Sequence, residues 1–311
     1  MSRRKADLFA GRPAPATLGE WLVLAERLYE SEGAALGQVA AHAHDEALYL
    51  LLHTLRLPLD SPGRVLRRRL SPAEDAAVRA ILRRRLRDRV PAAYLTQEAW
   101  LGGLRFHVDE RVIIPRSYFV EIIPDQLDTW LRAPSRVRRV ADVCTGSGCL
   151  AILLARHFPR ARVDAIDLSA AALEVAALNV GLHRLGRRIA LHRSDLFADV
   201  PRAPYDVIVS NPPYEPSRVV AAQAPEFRAE PRLAHDGGPD GFRLIRPLLR
   251  DARERLTDEG VLLLEVGGLR AAFDREFAAL EPHWLSTADG ADCVCIIAAA
   301  RLRATGRGTK S

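Results

Sequence analysis

Asn211-Pro212-Pro213-Tyr214 places a side-chain amide, two prolines and an aromatic ring in succession. The tetrapeptide follows Tyr205 to Ser210, a short apolar run that reads as a buried strand. Paired prolines end a hydrogen-bonding ladder and stiffen the turn at the strand's carboxyl end. Open α/β sheets bind their ligands at that end. Asn211 offers an amide oxygen, Pro212 a backbone carbonyl and Tyr214 a flat face. Two acceptors beside a flat surface suit a planar group bearing NH2. A lone proline-rich turn would look the same, so the reading depends on what else shares the sheet edge.

Asp142-Val143-Cys144-Thr145-Gly146-Ser147-Gly148 supplies that context. Gly146 and Gly148 let a ligand approach the backbone, and the helix that follows offers unpaired N–H groups. Cys144 stands where a dinucleotide fingerprint has its first glycine, and the lysine of a P-loop is missing, which disfavours NAD and ATP. Asp167 ends the next strand, twenty-five residues after Asp142. Its carboxylate can accept from two ribose hydroxyls. Asp195 ends a third strand, where an adenine amino group would lie. Leu168 and Leu196, the next residues, join the expected cofactor contacts, as do Cys144, Thr145 and Asn211. Each aspartate alone is more often a cap or turn residue. Together with the glycine turn and the proline turn they point to S-adenosylmethionine.

These turns need a scaffold. The 311 residues are long for one domain, 48% are apolar, and the formal net charge is +6. No apolar run is long enough to cross a membrane, and Met1 to Lys5 lack the apolar stretch of a secretory signal. Cys144, Cys149, Cys293 and Cys295 form no CxxC pair or disulfide framework, which fits a reducing cytoplasm. The histidines show no metal-ligand spacing, and no metal is expected.

Thr17 with Glu20, and Ser71-Pro72 with Glu74, are helix starts. The first opens a helix to about Ser31 and the second a helix to about Arg89, with another helix over 39–55 between them. Residues 16–90 therefore read as a small helical bundle after a disordered 1–15. Gly102-Gly103 within 91–118 predicts a β-hairpin linker. Residues 119–301 begin with a helix to about Leu131. They then alternate strand and helix: strands near 140, 162–167, 189–192, 205–210 and 261–266, then an antiparallel pair at 283–286 and 293–299. The expected fold is α/β, a Rossmann-like mixed sheet of seven strands. The loop over 215–241 is long enough to be functional, and we expect it to close over the acceptor. Residues 302–311 read as a disordered basic tail. Trp21, Trp100 and Trp284 read as core residues.

Arg64, Arg67, Arg68, Arg69, Arg79, Arg83, Arg84, Arg85, Arg87 and Arg89 concentrate positive charge. They form either a solvated helix face or a footprint for ribosomal RNA. The segment has no interleaved aromatic residue for stacking single strands.

Residues 138–300 resemble a class I S-adenosylmethionine-dependent methyltransferase. More narrowly, most of the chain resembles the protein-glutamine N5-methyltransferases of the HemK group. The resemblance is carried by Ala93-Tyr94-Leu95-Thr96, Phe106 to Val112, Pro115-Arg116-Ser117, Asp142 to Cys149 and Ser210 to Tyr214. One branch modifies the Gly-Gly-Gln motif of peptide-chain release factors. The other modifies a glutamine of large-subunit ribosomal protein L-three. Ala99-Trp100, Val108-Asp109-Glu110-Arg111, Arg116-Ser117 with Glu121, and Cys144 to Cys149 look like the second branch. Tyr118-Phe119 departs from it, since a proline and a smaller apolar residue are usual there.

The resemblance implies an enzyme using S-adenosylmethionine, with the ribosomal protein as partner, 16–90 as the substrate-recognition domain, and Arg116 and Glu121 as substrate contacts on the helix facing the acceptor. An Arg116–Glu121 ion pair is the structural alternative. Asn211, Pro212, Pro213 and Tyr214 would seat the glutamine amide, with Asn211, Pro212 and Tyr214 catalytic. A monomer is expected. The rival readings are an amino-methyltransferase of nucleic acid, which would need a recognition domain rich in basic and aromatic residues, and a non-catalytic assembly factor. Intact Asn211 and glycine turns argue against the second.

Overall fold

The computed structural model describes residues 7–11 and 14–304. The chain divides into two units. The first holds the residues up to Ala99 together with Ala224–Ala229, and the second holds Trp100–Gln223 and the chain from Glu230 onward.

The first unit begins where its caps dictate. Glu20 N–H donates to Thr17 Oγ1 and Thr17 N–H to Glu20 Oε2, opening α1 (Leu18–Glu32). After α2 (Ala43–Thr54), the same reciprocal box between Ser71 and Glu74 opens α3 (Pro72–Leu86). A short α4 (Ala92–Thr96) follows. Trp21, Leu28, Leu51, Val78 and Leu82 meet in one apolar core. Leu8 and Phe9 belong to that core, Phe9 lying edge-on to Trp21 with ring centroids 5.7 Å apart. The expected disorder of 1–15 is therefore wrong for 7–11, because two large apolar side chains there have a core to enter. Residues 1–6 and 12–13 lie outside the described residues.

A charged centre sits inside this unit. The buried Arg85 Nε donates to Glu46 Oε1 at 2.6 Å, and its Nη1 donates to Glu226 Oε1 at 3.3 Å. Arg89 Nη1 donates to the same Glu226 oxygen at 2.9 Å. Of the arginines read as one basic stripe, Arg68, Arg79, Arg83, Arg85, Arg87 and Arg89 are in ion pairs. Arg64, Arg67, Arg69 and Arg84 are exposed.

β1 (Glu98–Leu101) and β2 (Leu104–His107) form the expected hairpin, with left-handed Gly102 and Gly103 at its turn. Ala99 and Leu101 are buried, so strand alternation sends Trp100 outward, where it is 49% exposed. The core assignment of Trp100 is thus corrected. Trp21 is buried and Trp284 packs at the edge of a core cluster.

In the second unit, α5 (Phe119–Asp125) is shorter than expected. Pro124 lacks a donor, and the chain continues as a 3-10 turn over Leu127–Trp130 instead of a helix to Leu131. Then come β3 (Arg139–Val143), α6 (Cys149–His157), β4 (Arg162–Asp167), α7 (Ala170–Leu182), β5 (Ile189–Arg193) and β6 (Tyr205–Ser210). The long connection carries α8 (Ser217–Ala222) and α9 (Pro225–Arg228) before α10 (Ile245–Arg255). β7 (Leu256–Glu265), α11 (Arg270–Glu276), β8 (His283–Leu285), β9 (Val294–Ala298) and α12 (Ala299–Ala304) complete it. β7 starts at Leu256 rather than Val261, because Leu256 pairs with Tyr205 across a bulge. Leu302, expected in a disordered tail, is 2% exposed in the core. Residues 305–311 lie outside the described residues.

The sheet runs β5-β4-β3-β6-β7-β9-β8, parallel through β7 and antiparallel at β9 and β8. Both faces are covered, as the unbroken apolar strands require. Val140 enters one apolar cluster, while Ala141 and Val143 enter the other. From β3 the chain steps outward to β4 and β5, then returns to β3's other side with β6. That reversal opens a crevice at the carboxyl ends of β3 and β6. Among the described residues no helix is long and apolar enough to cross a membrane.

Candidate active site

Register decides what meets in the crevice. Val143 is opposite Ser210, and Ser210 Oγ donates to Val143 O at 2.7 Å. The turn after β3 and the tetrapeptide after β6 therefore start level. On the other side of β3, Thr145 N–H donates to Ile166 O at 3.0 Å and Gly146 N–H to Asp167 Oδ2 at 2.9 Å. Asp167 Oδ1 accepts from Ser169 N–H at 2.9 Å. Ser194 N–H donates to Asp167 O at 3.0 Å, which carries the row to Asp195. Sheet order thus lines up Asp195, Asp167, the glycine turn and Asn211 along one edge.

Within the turn the residues differ in what they do. Asp142 is fully buried, and its Oδ2 accepts from Thr145 Oγ1 at 2.5 Å and from Ala151 N–H at 2.9 Å. Burial pushes its carboxyl up to about 7. Asp142 therefore shapes the turn from beneath, holding it to the start of α6. Cys144 is left-handed at φ +64, a backbone conformation in which a side chain is strained. Gly146 is also left-handed, and a Cβ on it would meet nothing closer than Ile113 Cγ2 at 3.9 Å. Leu168 is 50% exposed beside Asp167, whereas Leu196 is buried at φ +47.

Asn211's amide and Pro212's carbonyl make no hydrogen bond with the protein among the described residues. Pro213 is buried, and Tyr214 is packed from beneath. Gly267 lies at φ +50, and a Cβ there would come within 2.4 Å of Tyr214 Cε2. Gly241 lies at φ +88, with its Cβ direction 2.3 Å from Tyr214 O. Any other residue would push the motif out of place. The chain after the motif folds back on itself. Glu215 N–H donates to His235 O at 2.9 Å, Gly237 N–H to Glu215 O at 2.8 Å, and Ser217 Oγ to Asp236 Oδ1 at 2.6 Å. Tyr214 OH donates to Glu265 Oε1 at 3.5 Å, and Ser117 Oγ donates to Glu265 Oε2 at 2.5 Å.

Arg116 does not pair with Glu121. It grips the buried Glu230 with Nη1 at 2.7 Å and Nη2 at 2.6 Å, and His235 Nε2 lies 2.6 Å from the same carboxylate. Glu121 Oε2 instead accepts from Ala288 N–H at 2.8 Å. The Arg116–Glu121 ion pair offered as the structural alternative is thus replaced by these two separate contacts. Arg116 precedes α5, which begins at Phe119 and carries Glu121, and Glu230 offers two oxygens in a dry place. Tyr118-Phe119 is used structurally: Phe119 is buried and Tyr118 OH donates to Asp289 Oδ2 at 2.7 Å. The sequence reading missed Ser117's partner, Glu265, Gly241 and Gly267. Gly267, just after the apolar run of β7, was the available signal; Gly241 lies in the connection before α10.

The donor set fits an adenosine-bearing sulfonium. Asp195 is exposed, with no side-chain partner among the described residues; the turn is open at Gly146; and Asp167 keeps lone pairs for hydroxyls.

A family model described as Methyltransferase small domain matches residues 125–237. The ribosomal protein uL3 glutamine methyltransferase of Burkholderia pseudomallei is 48% identical over 277 residues, 87% of this chain and 90% of that one. That of Bordetella pertussis is 49% identical, over 85% and 88% of the two chains. That of Bradyrhizobium diazoefficiens is 42% identical, over 97% and 100%. The chain belongs to the uL3 glutamine methyltransferase family. As a member it is a class I methyltransferase, as the sheet order and its glycine turn predict. It falls with the ribosomal branch of the two distinguished above, and the release-factor alternative is not favoured.

Proposed function

We propose that the protein transfers a methyl group from S-adenosylmethionine to the side-chain amide nitrogen of a glutamine in ribosomal protein uL3. The observation that carries this reading is the unengaged pair of acceptors, Asn211 and Pro212, on the same sheet edge as the glycine turn, in a chain 48% identical to a relative of that name. The cofactor supplies an electrophilic methyl group on a sulfonium. Gly146, Asp167 and Asp195 would hold it, with Asp142 and Thr145 keeping the turn in shape.

A glutamine nitrogen is a weak nucleophile because its lone pair is delocalised into the carbonyl. Asn211 Oδ1 and the Pro212 carbonyl would accept its two N–H bonds, orient the nitrogen and raise its electron density. Tyr214 packs on the planar amide. Positive charge on nitrogen is then met by two oxygen dipoles, and the proton leaves to water. Arg116 and Glu230 bind no substrate in this reading; they tie the segment before α5 to the returning loop.

The test is transfer of a labelled methyl group into purified uL3 and into a release factor, with peptide mass spectrometry. One modified glutamine in uL3 is expected. Labelling of the release factor alone would replace this substrate with the other branch's. A cytoplasmic setting follows from a ribosomal substrate. Contact with ribosomal RNA would rest on Arg64, Arg67, Arg69 and Arg84. Particle binding that weakens steeply with salt, unlike binding of free uL3, would support that contact.

A further inference from the structure

Glu265 ends β7, next to β6, and is 3% exposed. Leu264 is opposite Ser210, so Glu265 reaches the sheet edge level with Asn211. Each polar group directed at its carboxylate is a donor: Ser117 Oγ, Tyr214 OH and the backbone N–H of Tyr118. Ser117 Oγ also accepts from Phe119 N–H at 3.2 Å, which orients the hydroxyl toward the carboxylate. One N–H and two hydroxyls that can donate to it suit an ionised carboxylate. Gly267, two residues further on, supports the Tyr214 ring from below.

We propose that Glu265 is a positioning residue of the transfer site: as a carboxylate it anchors Tyr214 and Ser117, and it sets a negative charge behind the seat in which the acceptor nitrogen turns positive. This rests on the reading of Asn211 to Tyr214 as that seat. The new N–C bond forms as the C–S bond breaks, and the proton on nitrogen leaves afterwards to water; Glu265 takes no proton in the step.

The groups facing Glu265 are Arg116 and Tyr118 from the segment leading into α5, Tyr214 from the turn after β6, and Cys293 from the approach to β9. Burial opposes ionisation most strongly. Ser117, the Tyr118 N–H, Tyr214 and Arg116 favour it, and the carboxyl lies pushed up to about 7. The anchor therefore forms as pH rises through neutrality and is lost below it. Asp142 is also raised to about 7 but lies under the cofactor turn, so its titration reads out in cofactor affinity.

The experiment measures kcat against pH at saturating S-adenosylmethionine and uL3, with cofactor Kd, for wild type, Glu265→Gln, Glu265→Asp, Ser117→Ala and Asn211→Ala. In wild type kcat should rise through about 7. Glu265→Gln should lose that rise and fall roughly ten- to a hundredfold with Kd unchanged, and Glu265→Asp should recover part of the pH dependence. Ser117→Ala removes a donor to the charged form and should move the rise to higher pH. A wild-type profile in Glu265→Gln overturns the proposal. Should that variant not fold, an unmoved rise in Ser117→Ala overturns it equally. Wild-type turnover in Asn211→Ala would remove the seat itself; an inactive Asn211→Ala beside normal Glu265 variants would sink this inference alone.

Discussion

Arg116 and Glu230 stand 114 positions apart in the chain and meet through two parallel hydrogen bonds of 2.7 and 2.6 Å. The carboxylate is fully buried, whereas the guanidinium is 30% exposed. Planar pairing of this kind suits arginine and not lysine. The pair joins the segment entering α5 to the chain that returns from the loop after Tyr214, and so frames the site without entering it.

Breaking that pair should cost stability more than chemistry. Arg116→Ala removes the guanidinium from the buried Glu230 carboxylate, and a loss of about 3 kcal/mol is expected in chemical denaturation. Arg116→Lys should recover only part of it. The pH dependence has a definite sign. Burial raises Glu230, but Arg116 and His235 outweigh it and hold the carboxyl below its ordinary 4.5. The stabilisation is thus present above that value and lost as pH falls through the lower folded one. The stability gap between wild type and Arg116→Ala should narrow in acid; a gap constant down to acid unfolding would contradict the pairing.

Asn211→Ala removes an acceptor that nothing else among the described residues uses. Transfer should fall by roughly a hundred- to a thousandfold, while cofactor affinity, measured by calorimetry, stays near wild type. Turnover close to wild type would exclude the proposed role of the amide.

Gly267→Ala places a methyl group where the Tyr214 ring now lies, 2.4 Å from Cε2, on backbone at φ +50. The ring has to move. We expect kcat to drop roughly a hundredfold and the near-ultraviolet tyrosine signal to change. An alanine variant with unaltered kcat would mean that the ring's place is unimportant.

Cys144 offers a test of backbone strain. Alanine keeps the left-handed penalty at φ +64 and glycine removes it. Cys144→Gly should therefore exceed Cys144→Ala in stability by about 1 kcal/mol, measured by thermal unfolding. Equal stabilities would show that the turn relaxes without cost.

Much of this protein follows from local chemistry. Thr17 with Glu20 and Ser71 with Glu74 cap their helices through partners three residues away, so the sequence places them directly. Short unbroken apolar runs mark buried strands, and glycines at 146 and 148 and prolines at 212 and 213 act through their own backbone dihedrals; together they are sufficient to foresee the sheet and both turns of the site. The tertiary structure decided the rest. Burial of Ala99 and Leu101 turned Trp100 outward. Glu230 rather than Glu121 received Arg116; Glu265 and Gly267 came to lie under Tyr214. Those outcomes depend on which strands become neighbours and on which donor reaches a buried carboxylate first. No single stretch of sequence carries that information, because the cost of an unpaired buried charge is settled only when distant segments close around it.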